Sequence, residues 1–90
     1  MSSKFDRSPE ERQNPQAYLL RLLGPEKIPY MRALHTEYFP VRPDGGLSFK
    51  LEDVLGLLAR VDNGLVTEEQ LASAWGVPEA YSRALRAACQ

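Results

Sequence analysis

Thr67-Glu-Glu-Gln-Leu-Ala-Ser-Ala-Trp-Gly-Val-Pro-Glu-Ala-Tyr-Ser-Arg-Ala-Leu-Arg-Ala-Ala-Cys-Gln90 decides how this chain is read. Thr67 followed three residues later by Gln70 is a capping box, which satisfies orphan backbone donors at a helix start. Leu71, Ala74 and Trp75 give that helix its apolar face. Gly76 stops it, because glycine adopts the left-handed conformation that ends helices. Pro78 opens a second helix with Tyr81, Ala84, Leu85 and Ala88 on one side. Two short helices around a tight Gly-Val-Pro corner are therefore expected.

The same punctuation works outward. Asp62-Asn63-Gly64 ends an upstream helix whose stripe is Val54, Leu55, Leu57, Leu58 and Val61, with Glu52 and Asp53 in its first turn. Asn14-Pro15 starts a helix carrying Tyr18, Leu19, Leu20, Leu22 and Leu23, and Gly24-Pro25 stops it. Ile28, Met31 and Leu34 recur at helical spacing over about residues 26–34, with Pro29 either in the first turn or a break. Ser8-Pro9-Glu10-Glu11 is a cap followed by one helical turn. Residues 1–14 otherwise read as a flexible polar arm, with 15–90 as a single helical domain. Between Tyr38 and Lys50, Pro43-Asp44-Gly45-Gly46 is a turn signal flanked by short apolar runs. A small β-hairpin or an irregular loop fits there. The expected fold is mainly α, a compact bundle of four to five short helices with that hairpin or loop near residues 38–50.

Composition bounds the rest. Ninety residues make one domain, and 43% hydrophobic with 26% charged residues is ordinary for a globular protein. The single cysteine, Cys89, cannot form an internal disulfide and reads as an exposed thiol at a frayed end in a reducing cytoplasm. No apolar run reaches the ~18–20 residues of a membrane span, and the polar start is no secretory signal. Up to Gly46 there are seven basic and six acidic residues, and from Leu47 four basic and six acidic, giving +1 and −2. Neither half has the basic excess that phosphate neutralisation favours.

Leu71-Ala72-x-x-x-Gly76-Val77-Pro78-x-x-Tyr81 resembles helix-turn-helix regulators of bacterial and phage repressor type, over about a quarter of the chain. In such a module Ala72 sits where the helices approach, Gly76 makes the turn, and the second helix enters the major groove. Glu79, Ser82, Arg83 and Arg86 become the groove-side candidates, Arg83 the best base reader because guanidinium pairs bidentately with guanine. The position six residues past the turn glycine, usually leucine or β-branched in that family, is Ser82 here, so its apolar role passes to Tyr81. Separately, Ile28-Pro29-Tyr30, the Phe39–Phe49 segment and Leu51-Glu52-Asp53 resemble the strand, wing and helix of excisionase-type winged domains. That resemblance implies phosphate contacts from Arg42 and Lys50, with Arg32 on the preceding element.

Other chemistry finds little footing. Aligning Gly64 with the glycine of an EF-hand loop puts Ala59, Val61 and Gln70 where calcium needs oxygen donors. His35 is the only histidine, and His35 with Cys89 falls short of a zinc site. His35 reads as a solvent-facing or hydrogen-bonded structural residue, and no nucleophile elbow or phosphate loop accompanies it. No enzyme, cofactor, metal or small-molecule substrate is expected. Two functions remain open. One is a small DNA-binding transcriptional regulator, acting as a homodimer because one short helix reads few base pairs. The other is a protein-interaction module using apolar surplus from Leu55, Leu57, Leu58, Leu65 and Val66 or from Leu19 to Leu23.

Overall fold

Six helices follow from this punctuation in the structure, a computed structural model that describes residues 3–40, 43, 44 and 49–89. They are α1 (Pro9–Gln13), α2 (Pro15–Leu22), α3 (Lys27–Tyr38), α4 (Leu51–Asp62), α5 (Glu68–Trp75) and α6 (Glu79–Ala88). The fold is mainly α, as expected, and no strand occurs among the described residues. None of the helices is long and apolar enough to cross a membrane.

The helix ends obey local chemistry. Ser8 and Glu11 form a complete capping box on α1, and Thr67 and Gln70 form another on α5. At α4 only half of that device operates, since lysine has no acceptor: the Lys50 amide donates to Asp53 Oδ2 at 3.2 Å. Gly64, at φ 77°, closes α4 as a Schellman motif, with the Leu65 amide reaching Arg60 O at 2.9 Å and the Gly64 amide reaching Val61 O at 3.1 Å. Gly76, at φ 68°, closes α5. Pro29 falls in the first turn of α3, where a missing amide costs nothing, so that helix runs on to Tyr38 instead of stopping near Leu34. Tyr38 and Ile28-Pro29-Tyr30 are therefore helical, which removes the strand entry of the winged reading. The turn tip at residues 45–48 and Val41-Arg42 lie outside the described residues.

The core is built around α4, which buries Leu51, Val54, Leu55, Leu57, Leu58 and Ala59. Leu19 and Leu22 meet it from α2 and Leu23 from just past that helix, Ile28 and Met31 from α3, Leu71 from α5, and Tyr81 and Leu85 from α6. Most of the apolar surplus assigned to a partner is thus consumed internally. Leu71 is the sole fully buried residue of α5; Ala74 is exposed and Trp75 only half-buried, because an eight-residue helix lying against α4 presents one turn's width inward.

Two residues near the chain ends depart from expectation. Phe5 is 0% exposed and belongs to the core, so residues 3–14, read as an arm, pack on the helical body. Cys89 is buried, not frayed outward, and burial pushes its thiol up from the ordinary range. The Lys27 ammonium tethers the end of α6 by donating to Ala88 O at 3.0 Å.

Candidate functional site

The α5–α6 corner places the candidate DNA-contacting residues unevenly. Val77, Tyr81 and Leu85 are buried, so the apolar lock does pass to Tyr81. Ser82 is only 3% exposed, and its hydroxyl donates to Glu79 O at 3.1 Å, which takes it off the outward face. With Tyr81 and Ser82 adjacent and both inward, α6 is rotated relative to a helix that hides only the second of them. Ala72, expected where the helices approach, is exposed.

Glu79 and Arg83 do face outward, each about three-quarters exposed, and they pair with each other at 2.5 Å across one helical turn. Arg86 is held by two carboxylates and an aromatic ring. Its guanidinium lies 2.9 Å from Asp62 and 3.3 Å from Glu68, and it sits 5.5 Å from the Phe5 ring centroid. An arginine so committed is a structural tie between α6, the end of α4 and the start of α5. Lys50 is exposed at the entry to α4, Arg32 donates to Gln16 Oε1 at 3.3 Å, and Arg42 lies outside the described residues. The candidates are therefore not gathered into one basic face: two are internally neutralised, one is buried, and Glu69 and Glu68 stand exposed at the start of α5.

A second assembly surrounds His35, which is buried on α3. Its Nε2 meets Phe49 O, an acceptor only, so the neutral ring carries its proton there and Nδ1 accepts from the Tyr81 hydroxyl at 2.6 Å. Phe39 stacks on the imidazole at 4.9 Å, and Tyr38 stacks on Tyr81 at 4.9 Å. Burial raises the Tyr81 hydroxyl above its ordinary range, keeping it a donor. Both imidazole nitrogens are saturated, so His35 is the hydrogen-bonded structural histidine, fastening the start of α4 to α3 and α6.

A third assembly was not found from sequence. Ser3 to Asp6 form a tight turn in which the Asp6 amide donates to Ser3 O at 3.0 Å and the Ser3 amide to Asp6 Oδ2 at 2.8 Å. Phe5 at its tip enters the core. Arg21 on α2 reads the turn's main chain, donating to Lys4 O at 2.9 Å and Asp6 O at 2.8 Å, while the Tyr18 hydroxyl donates to Phe5 O. Glu11 fixes the Arg21 guanidinium bidentately at 2.7 and 3.1 Å, and that arginine holds the Glu11 carboxyl down at about 2. The available signal was one aromatic residue in a polar stretch, and nothing local says where its ring goes. Models of known protein families, curated proteins and solved structures offer no match to this chain.

Proposed function

We propose that the chain is a non-enzymatic protein-interaction module. The pairing of the two α6 arginines carries this reading. DNA affinity depends on arginine and lysine free to replace counterions at phosphates, yet Arg83 is matched by Glu79, and Arg86 by Asp62 and Glu68. Phosphate approaching α6 would meet Glu79 first. The surface meanwhile offers apolar anchors. Leu65 is 71% exposed at the α4–α5 turn, although the residue at that place in a Schellman motif commonly packs back on its helix. Tyr30 is 69% exposed on α3, and tyrosine is among the residues enriched at interface centres.

One observation favours the DNA-binding regulator as the second reading. Gly76 sets a left-handed corner between two helices, with Arg83 outward on the second. The decisive assay is retardation of mixed-sequence duplex at about 50 mM salt, where nonspecific binders are strongest. The interaction module leaves the duplex unshifted, and retains a protein partner that is lost on Leu65→Glu. A shift that collapses with salt and disappears in the Arg83→Ala, Arg86→Ala double variant overturns it in favour of DNA.

A further inference from the structure

The turn at Ser3–Asp6 is held in a way that resembles a docked ligand more than a strand of the fold. The contacts from α2 reach main-chain oxygens: Lys4 O and Asp6 O from Arg21, Phe5 O from Tyr18. Three consecutive carbonyls are thereby satisfied by side chains, as a peptide-binding protein satisfies its peptide. The turn supplies its own shape, with the Phe5 amide donating to Ser3 Oγ at 3.1 Å in addition to the two Ser3–Asp6 bonds. Selectivity comes from three places. The ring is fully enclosed beside Arg86, the Ser3 hydroxyl donates to Asp62 Oδ2 at 2.7 Å, and Asn63 Nδ2 donates to Asp6 Oδ1 at 3.0 Å.

Part of the receptor side is built outside the turn: Glu11 belongs to α1 and holds Arg21 by two hydrogen bonds of its own. The Ser8 cap and α1 lie beyond the turn, so the segment can lift at Arg7 without unwinding a helix.

We propose that this socket is a peptide-binding site for an aromatic-tipped turn of Ser-x-Phe-Asp type carried by another protein, with residues 3–7 as its resident ligand. The proposal rests on the protein-interaction reading and names a ligand for it. Binding in trans then requires displacement of a tethered competitor, whose effective concentration is of the order of millimolar.

The test uses the full-length chain and a fluorescent capped peptide spanning Ser3 to Ser8. Full-length Phe5→Ala, with an empty ring pocket, is expected to bind it saturably, and about a hundredfold more tightly than the unmodified chain does. The peptide with alanine for phenylalanine is expected not to bind, nor the original peptide to bind the Phe5→Ala, Arg21→Gln chain. Absence of saturable binding to Phe5→Ala that retains its helical circular dichroism overturns the proposal. If that variant does not fold, the isotope-labelled unmodified chain is titrated with excess peptide. Displacement moves the amide resonances of residues 3–7 towards free-peptide positions, and an unchanged spectrum overturns it. A dimer with exchanged turns in sedimentation assigns the socket to a second copy, which also overturns it. Failure here leaves Leu65-dependent partner retention untouched, so the two readings fail separately.

Discussion

Replacing Phe5 with alanine asks whether residues 3–7 belong to the folded domain. A buried phenylalanine removes ~150–250 Å² from water, worth ~4–6 kcal/mol at ~25 cal/mol per Å². That figure is an upper bound, because the unfolded chain already hides part of the ring. Core truncations of phenylalanine cost about 3–5 kcal/mol in practice. The lower end applies to Phe5, since the short segment can lift away and leave no rigid cavity. Loss of the Arg86 guanidinium over the ring, about 0.5–1 kcal/mol, is contained in that figure. We therefore expect a loss of about 3 kcal/mol. A ninety-residue domain has only about 5–13 kcal/mol in total, so the variant keeps its fold with a melting temperature lower by about 12–24 °C. Urea unfolding followed by helical circular dichroism measures it, with the slope unchanged and the midpoint displaced. A loss below about 1 kcal/mol would refute the docking of Phe5, and with it every contact assigned to the turn.

Three further expectations concern the ties around the core. Glu11→Gln removes a carboxylate whose folded pKa, about 2, lies below its unfolded value. Its contribution is present above about pH 4.5 and is lost as pH falls through 2; the variant should be weaker by about 1 kcal/mol at pH 7, modest because Arg21 is half-exposed, and equal to the parent near pH 2. An equal deficit at both pH values contradicts the Arg21 pairing. His35→Leu strands the Tyr81 hydroxyl and should cost about 2 kcal/mol, the scale of one buried unsatisfied group plus lost packing, with a change in near-ultraviolet circular dichroism from the disturbed aromatic stack. Unaltered near-ultraviolet signal and stability would show that His35 fastens nothing. Gly76→Ala meets no neighbouring atom, so its cost is that of a left-handed alanine, about 1–2 kcal/mol; a neutral result in thermal unfolding would mean that the corner does not need positive φ.

Helix punctuation was readable because it is local. Ser8 and Glu11, and Thr67 and Gln70, lie three residues apart, Gly64 and Gly76 each act on the helix end they close, and the structure uses each as its type suggests. What was not readable depends on partners far along the chain. Phe5 is buried by Tyr18, Arg21 and Arg86, which a polar N-terminal composition cannot announce. Ser82 is inward because Tyr81 and Leu85 fix the rotation of α6 against α3, a choice made by packing and not by the helix's own pattern. Arg86 looked like a groove contact in one dimension. Only folding brings Asp62 and Glu68 to it. The candidate site thus lost its charge to distances of 18 and 24 residues in sequence, while its corner was legible from glycine alone.

Gly56, in the middle of α4, sits where a methyl group would come within 2.9 Å of the Arg7 guanidinium, which itself lies 5.5 Å from the Tyr18 ring centroid. A glycine inside a helix costs about 1 kcal/mol relative to alanine, and here it leaves space that the Arg7 guanidinium occupies. Alanine at this position would repay the helix and push aside only the tip of a flexible side chain. Gly56 thus exchanges a little rigidity of the central shaft for room in which the Arg7 guanidinium reaches the Tyr18 ring.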